Sequence, residues 1–145
     1  MKVTVDWKEK MQFEASNDAN AARMAIDITD PELGGEGKGQ SPKQMFLQSL
    51  AGCTGMDIIH IMKKMRAALP AKFSLEVSGE TVETEPKVFT KIHLVYHVEG
   101  EVDAGKLMKA VNMSQDTYCS IGAMVKKVCD YSWEVYLNGN RISPA

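Results

Sequence analysis

The chain has 145 residues, 44% of them hydrophobic and 25% charged, and its 17 basic and 19 acidic side chains leave a formal net charge of −2. That length suits a single domain over residues 1–145, and the near balance of charge excludes the clustered Lys and Arg that bind nucleic acid or anionic membranes. No basic leader with an apolar run follows Met1, so the cytoplasm is the expected location, and Gln48, Asp57, His60, Lys63 and Lys64 interrupt the most apolar segment, which therefore reads as a buried helix rather than a membrane span.

In chain order, Val3, Val5 and Trp7 alternate with Lys2, Thr4 and Asp6, the period-two pattern of a strand with one buried face. Lys8-Glu9-Lys10 reads as a turn, Met11 and Phe13 as a return strand, and Met24, Ile26 and Ile28 as a third strand stopped by Asp30-Pro31. The N-terminal third is thus expected to be a small antiparallel sheet. The glycine-rich stretch from Leu33 to Gln40 lacks the spacing of either phosphate-binding loop, which leaves a mobile connection. Ser41 as N-cap, Pro42 at the first helical position and Gln44 completing a capping box then start a helix expected to reach about Ala68, ahead of Pro70. Its apolar residues, from Met45, Phe46 and Leu50 to Ile61, Met62 and Met65, cover most of the circumference, so it is expected to be central. A lone domain of this size struggles to cover such a helix, so a second copy of the chain is expected to complete its burial.

Phe73, Leu75 and Val77, followed by a strand from Val88 to Glu99, predict a second antiparallel sheet. A helix over 102–112 carries a possible cap at Asp103, and a shorter one begins near Tyr118 and Cys119, capped by Asp116 or Thr117, and runs to Val128. Tyr131, Trp133, Val135 and Leu137 make a last strand, closed by the turn signal Asn138-Gly139. Strands, helix, strands, helices and strand in that order define an α+β fold.

Three cysteines, Cys53, Cys119 and Cys129, form an odd set with no C-x-x-C pair, so in a reducing compartment any disulfide would be transient or redox-sensing. His60, His93 and His97 add donors for zinc, but His93 and His97 sit on a strand pattern that separates them by roughly 13 Å, and neither a metal nor a cofactor is expected. Cys53 lies in Leu50-Ala51-Gly52-Cys53-Thr54-Gly55, where small neighbours leave room for a ligand or a facing helix. Taken alone it reads more simply as a small buried hydrophobe. Cys119, in Asp116-Thr117-Tyr118-Cys119-Ser120, falls in a first helical turn, where free N–H groups and the helix dipole favour a thiolate. Cys129, past the end of that helix, reads as structural.

The segments Ser41-Pro42-Lys43-Gln44-Met45 through Ala51-Gly52-Cys53, and Tyr118-Cys119-Ser120-Ile121, resemble the paired cysteine motifs of the OsmC/Ohr family at the family's spacing. The similarity is to the OsmC-like subgroup with Tyr-Cys-Ser at the second site. The resemblance implies two small sheets packed with a long central helix, in an intertwined homodimer with its active sites at the interface. It implies reduction of organic hydroperoxides by two thiols, with Cys53 peroxidatic, Cys119 resolving, an external dithiol as reductant, and no metal or organic cofactor. The chain departs from the family's pattern where an Arg and a Glu activate the first thiol. Lys43 occupies the place of the Glu, and Lys8 and Lys10 lie where the Arg is expected. The arginines present are Arg23, Arg66 and Arg141, which leaves Lys43 and Arg23 as candidate activating or pocket residues. Asp57, one turn after Cys53, would raise its pKa if ionised, and His60 stands about 10 Å along the helix, beyond hydrogen-bond reach. Two readings follow: a thiol-dependent reductase of organic hydroperoxides or other small apolar electrophiles, and a non-catalytic relative that binds an apolar ligand or serves as a redox-responsive partner.

Overall fold

The alternating residues at the N-terminus build a three-stranded antiparallel meander in the computed structural model, which describes residues 1–144. Strands β1 (Val3–Glu9), β2 (Gln12–Asn17) and β3 (Arg23–Ile26) pair in that order, with Trp7 opposite Phe13 and Phe13 opposite Ile26. The expected buried face is different. Val3, Val5 and Trp7 remain 68%, 51% and 64% exposed, because the unit they belong to, which ends at Phe46, has no second layer over that row.

The glycine-rich stretch is tied down rather than a loose connection. Asp27, 1% exposed, accepts hydrogen bonds from the backbone N–H groups of Ile28, Glu36 and Lys38, and Gly37 donates to the Ile28 carbonyl. A side chain at Gly35 would start 2.3 Å from the Ile28 carbonyl oxygen, so the glycine is needed for close backbone approach. Glu36 pairs with Lys10 and Lys38 and accepts from Gln12 Nε2 at 2.5 Å.

Helix α1 (Pro42–Lys64) begins as its capping box predicts: Gln44 N–H donates to Ser41 Oγ at 3.3 Å, and Ser41 N–H to Gln44 Oε1 at 2.9 Å. It ends before Ala68. Arg66 takes a left-handed φ of 49°, and the N–H groups of Ala67 and Arg66 donate back to the carbonyls of Met62 and Lys63. That crossed pair is a Schellman closure, so the backbone turns away well before Pro70 acts.

From Leu47 onward the chain forms a second unit around a four-stranded sheet, in the order β4 (Lys72–Thr81), β5 (Phe89–Glu99), β6 (Asp130–Leu137) and β7 (Asn140–Arg141). β4 and β5 are antiparallel, and β6 turns into β7 through Asn138 and Gly139, both at positive φ. β5 and β6 run parallel, with Leu94 opposite Trp133 and Tyr96 opposite Val135. Alternation carries no strand direction; here a helical crossover returns the chain to the same edge, and the sheet is mixed rather than wholly antiparallel.

The crossover holds α2 (Ala104–Met113), capped by Asp103 accepting from Lys106 N–H at 2.7 Å, then a π-helical turn (Ser114–Tyr118) and α3 (Ser120–Val125). Ile58 and Met62 of α1 and Leu107 and Val111 of α2 pack on Leu94, Tyr96 and Val135 of the sheet, all fully buried. Each such aliphatic side chain contributes about 1.5–3 kcal/mol on leaving water. Among the described residues no helix is long and apolar enough to cross a membrane.

Candidate active site

Two elements distant in sequence deliver the thiols. Cys53 is half-buried in the middle of α1, and Cys119, 2% exposed, stands between the π-helical turn and α3. It is itself the N-cap of α3, not a residue of the first turn behind Asp116 or Thr117. Its extended backbone turns the sulfur back to accept the N–H of Gly122 at 3.3 Å. A side chain at Gly122 would sit 3.3 Å from that sulfur, so the glycine keeps the cap open.

The sulfurs of Cys53 and Cys119 and a carboxylate oxygen of Asp57 all lie within 4.8 Å of one another. Asp57 reaches them because it follows Cys53 by four residues, on the same face of α1. The Cys119 thiol is pushed up to about 11, first by burial, then by the hydrogen bond with Cys53 and the charge of Asp57; the Gly122 N–H pulls the other way and loses. The expected thiolate-favouring helix start is therefore overturned. One N–H on a six-residue helix does not offset removal of the sulfur from water.

From Asp57 runs a chain of buried and half-buried hydrogen bonds. Thr54 Oγ1 is 2.7 Å from Tyr96 OH and 2.9 Å from Ser114 Oγ, and Ser114 Oγ donates to Asp57 Oδ2 at 3.2 Å. Gln115 Nε2 donates to Tyr96 OH at 2.6 Å and Tyr131 OH at 3.0 Å, and Lys126 Nζ donates to the Gln115 carbonyl at 2.5 Å. A carboxylate only accepts, which sets the direction of the three hydroxyls that lead to it: Tyr96 donates to Thr54, Thr54 to Ser114, and Ser114 to Asp57. Burial pushes the Tyr96 hydroxyl up to about 12 and raises that of Tyr131 as well.

Asp57 is expected from the sequence beside Cys53, whereas Thr54, Ser114 and Gln115 are not singled out there as members of the site. Asp57 and Thr54 were visible as polar residues on an otherwise apolar helix, whereas nothing local marked Ser114 or Gln115. Of the candidates, Lys43 stands exposed in the first turn of α1, and Arg23 lies exposed on β3, its Nη1 donating to the adjacent Ala22 carbonyl at 3.1 Å. His93 Nδ1 bonds Ser132 Oγ at 2.7 Å and His97 stacks on Tyr136, so neither belongs to the thiol cluster. Cys129 donates its S–H to the Val125 carbonyl, in keeping with a structural role. Between α1 and β4 lies an open groove of about 550 Å³, lined by Ala51, Gly52, Gly55, Met56, Ile59 and Phe73 among others. A Cβ added at Gly52 meets nothing within 4 Å.

The family model described as OsmC-like protein matches residues 35–134. Protein YhfA of Escherichia coli strain K12 is 29% identical over 138 residues, covering 93% of this chain and 98% of its own. Among solved structures, a hypothetical protein from Aquifex aeolicus VF5 superposes with a TM-score of 0.77 at 29% identity, over 94% of this chain and 96% of that one. The organic hydroperoxide resistance protein OhrB of Bacillus subtilis superposes with a TM-score of 0.65 over 93% and 96% of the two chains, and at 20% identity that likeness concerns the fold alone.

Proposed function

Because the chain belongs to the OsmC-like protein family, we propose that it acts through thiol chemistry between Cys53 and Cys119, reducing organic hydroperoxides or another small apolar electrophile. The observation that carries this reading is the approach of two free sulfurs to within 4.8 Å from elements far apart in the chain. Cys53 is the better attacking thiol, since it is the more exposed of the two and Cys119 is held in its protonated form. The Cys53 thiolate attacks the peroxide oxygen, the O–O bond breaks, and the alcohol leaves with a proton while Cys53 becomes a sulfenic acid. Cys119 then attacks that sulfur, the hydroxyl and the thiol proton leave as water, and an external dithiol returns the disulfide to two thiols.

A second copy of the chain is part of this proposal, covering the exposed Val3, Val5 and Trp7 row and the Gly52 and Met56 face of α1, with the sites at the interface. Lys43 and Arg23 are the cations proposed to serve where the family uses its activating pair. A single domain over 1–145 acting in the cytoplasm, with neither membrane nor nucleic acid as partner, completes the reading.

One equivalent of cumene hydroperoxide added to reduced protein tests it. A Cys53–Cys119 disulfide in the peptide map, absent from Cys53→Ser, is the expected product; thiols that stay free with cumene, lipid and hydrogen peroxides alike would remove the enzymatic reading. The observation favouring a non-catalytic binder is that an acid, Asp57, stands beside the thiols next to an apolar groove. Native mass spectrometry of protein taken directly from cells would then reveal a retained apolar molecule.

A further inference from the structure

Asp57 is the member of the thiol cluster that hydroperoxide chemistry leaves unused. A reactive thiolate needs positive charge nearby, and what stands within 4.8 Å of both sulfurs is instead the carboxyl group of Asp57. For a bound cation the same arrangement has the right sign. We propose that Cys53 Sγ, Cys119 Sγ and one carboxylate oxygen of Asp57 form a three-donor site for a thiophilic divalent cation of the Zn²⁺ class, with the fourth position open to water or a small ligand.

The geometry is within reach. With metal–sulfur bonds of about 2.3 Å and metal–oxygen bonds of about 2.0–2.2 Å, donors around a tetrahedral ion stand roughly 3.4–3.8 Å apart. The three donor atoms lie within 4.8 Å of one another, so a closure of no more than about 1.4 Å would bring them to that spacing. Cys53 and Asp57, four residues apart on one helix face, make a preformed pair, and Cys119 enters from a separate element. Supporting hydrogen bonds to two of the donors are already in place. Ser114 Oγ donates to Asp57 Oδ2 and is itself held by Thr54, which leaves the other carboxylate oxygen for a metal. The Gly122 N–H, directed at Cys119 Sγ, offsets the charge of a coordinated thiolate. Two sulfur donors select zinc or cadmium over magnesium and calcium. The histidines, considered from the sequence as zinc ligands, have no part in this site.

Metal and disulfide compete for the same sulfurs, so the cation occupies only the reduced protein. This inference stands apart from the peroxide reading, because it is read by equilibrium binding without turnover. Reduced, metal-stripped full-length protein is titrated with Zn²⁺ against a chromophoric chelator, and with Cd²⁺ followed by its thiolate charge-transfer absorption. One ion per chain is expected, with affinity lowered about 100-fold or more by Cys53→Ser or Cys119→Ser, about 10- to 100-fold by Asp57→Asn, and not at all by Cys129→Ser. X-ray absorption of the zinc-loaded wild-type protein, which depends on no variant folding, is expected to give two sulfur neighbours and the rest oxygen. Absence of stoichiometric binding, loss of binding with Cys129→Ser, unchanged affinity in folded Asp57→Asn, or a first shell containing imidazole would overturn the proposal.

Discussion

Thr54, the residue directly after Cys53, shares a buried hydrogen bond of 2.7 Å with Tyr96 at the middle of β5, so the turn of helix that carries the half-buried Cys53 thiol is anchored to the sheet. Thr54→Val keeps the shape and removes the hydroxyl, leaving Tyr96 without its acceptor and Ser114 without its donor. The expected cost is about 2–3 kcal/mol, read as a lower denaturant midpoint at unchanged slope. Adding Tyr96→Phe removes one of the stranded groups, so the double variant should lose less than the two single losses together.

The pH dependence of stability follows from the same buried face. Cys119 is raised from 9.0 to about 11 and Tyr96 from 10.0 to about 12, so the folded state holds both protons more tightly than the unfolded chain does. Their contribution is complete below about pH 9, declines first as the Cys119 window is crossed up to about 11, and continues to decline towards about 12 through Tyr96. Thermal melts between these limits should fall with pH, and Cys119→Ser should flatten the earlier part of the fall. A variant curve parallel to the wild type would reject the assignment.

At the acid end, Glu36 is held at about 2 against an ordinary 4.5, chiefly by Lys10 and then by Lys38. Its pKa is depressed, so its stabilising effect is present above about pH 4.5 and disappears as pH falls towards about 2. Glu36→Gln should lower the neutral-pH melting temperature only slightly, since these groups are solvent-screened, and should remove an equally small amount from the acid-side fall. A large loss at neutral pH would mean that Glu36 shapes the glycine-rich loop rather than merely pairing across it.

Gly52 and Gly55 separate a free helix face from a packed one. A side chain at Gly55 meets Leu75 at 3.3 Å, whereas Gly52 faces open space within the chain. Gly55→Leu should lower stability of the isolated chain. Gly52→Leu should preserve the fold and, if a second copy lies on that face, shift the sedimentation coefficient from dimer to monomer. A folded Gly52→Leu protein that still sediments as a dimer would place the interface elsewhere.

Local chemistry made much of this legible. Ser41, Pro42 and Gln44 predict the helix start because capping is an interaction among neighbours, and Asn138-Gly139 predicts its turn because both residues tolerate positive φ. Misreadings arose where the outcome depended on distant partners. Val3, Val5 and Trp7 alternate correctly, but alternation does not say what covers a face. The glycines after Leu33 suggest freedom until Asp27 is seen accepting three backbone N–H groups. Cys119 looks activated in its own segment; only the packing around it shows a sulfur deprived of water. The motifs mark the thiol pair and helical spacing puts Asp57 beside Cys53, while only the packing of Cys119 against that face joins the three into one cluster.

The parallel alignment of β5 and β6 has a consequence for how the site comes into being. Standing 66 positions apart in sequence, Cys53 and Cys119 have a low effective concentration toward each other in an unfolded chain, and their proximity is created by the crossover. Oxidation would therefore act as a latch on the finished topology, closing a loop whose chain entropy alone is worth about 4 kcal/mol. A damaged or half-folded copy would lack the latch, so disulfide formation between these thiols, if it occurs as proposed, would double as a report on whether the crossover is intact.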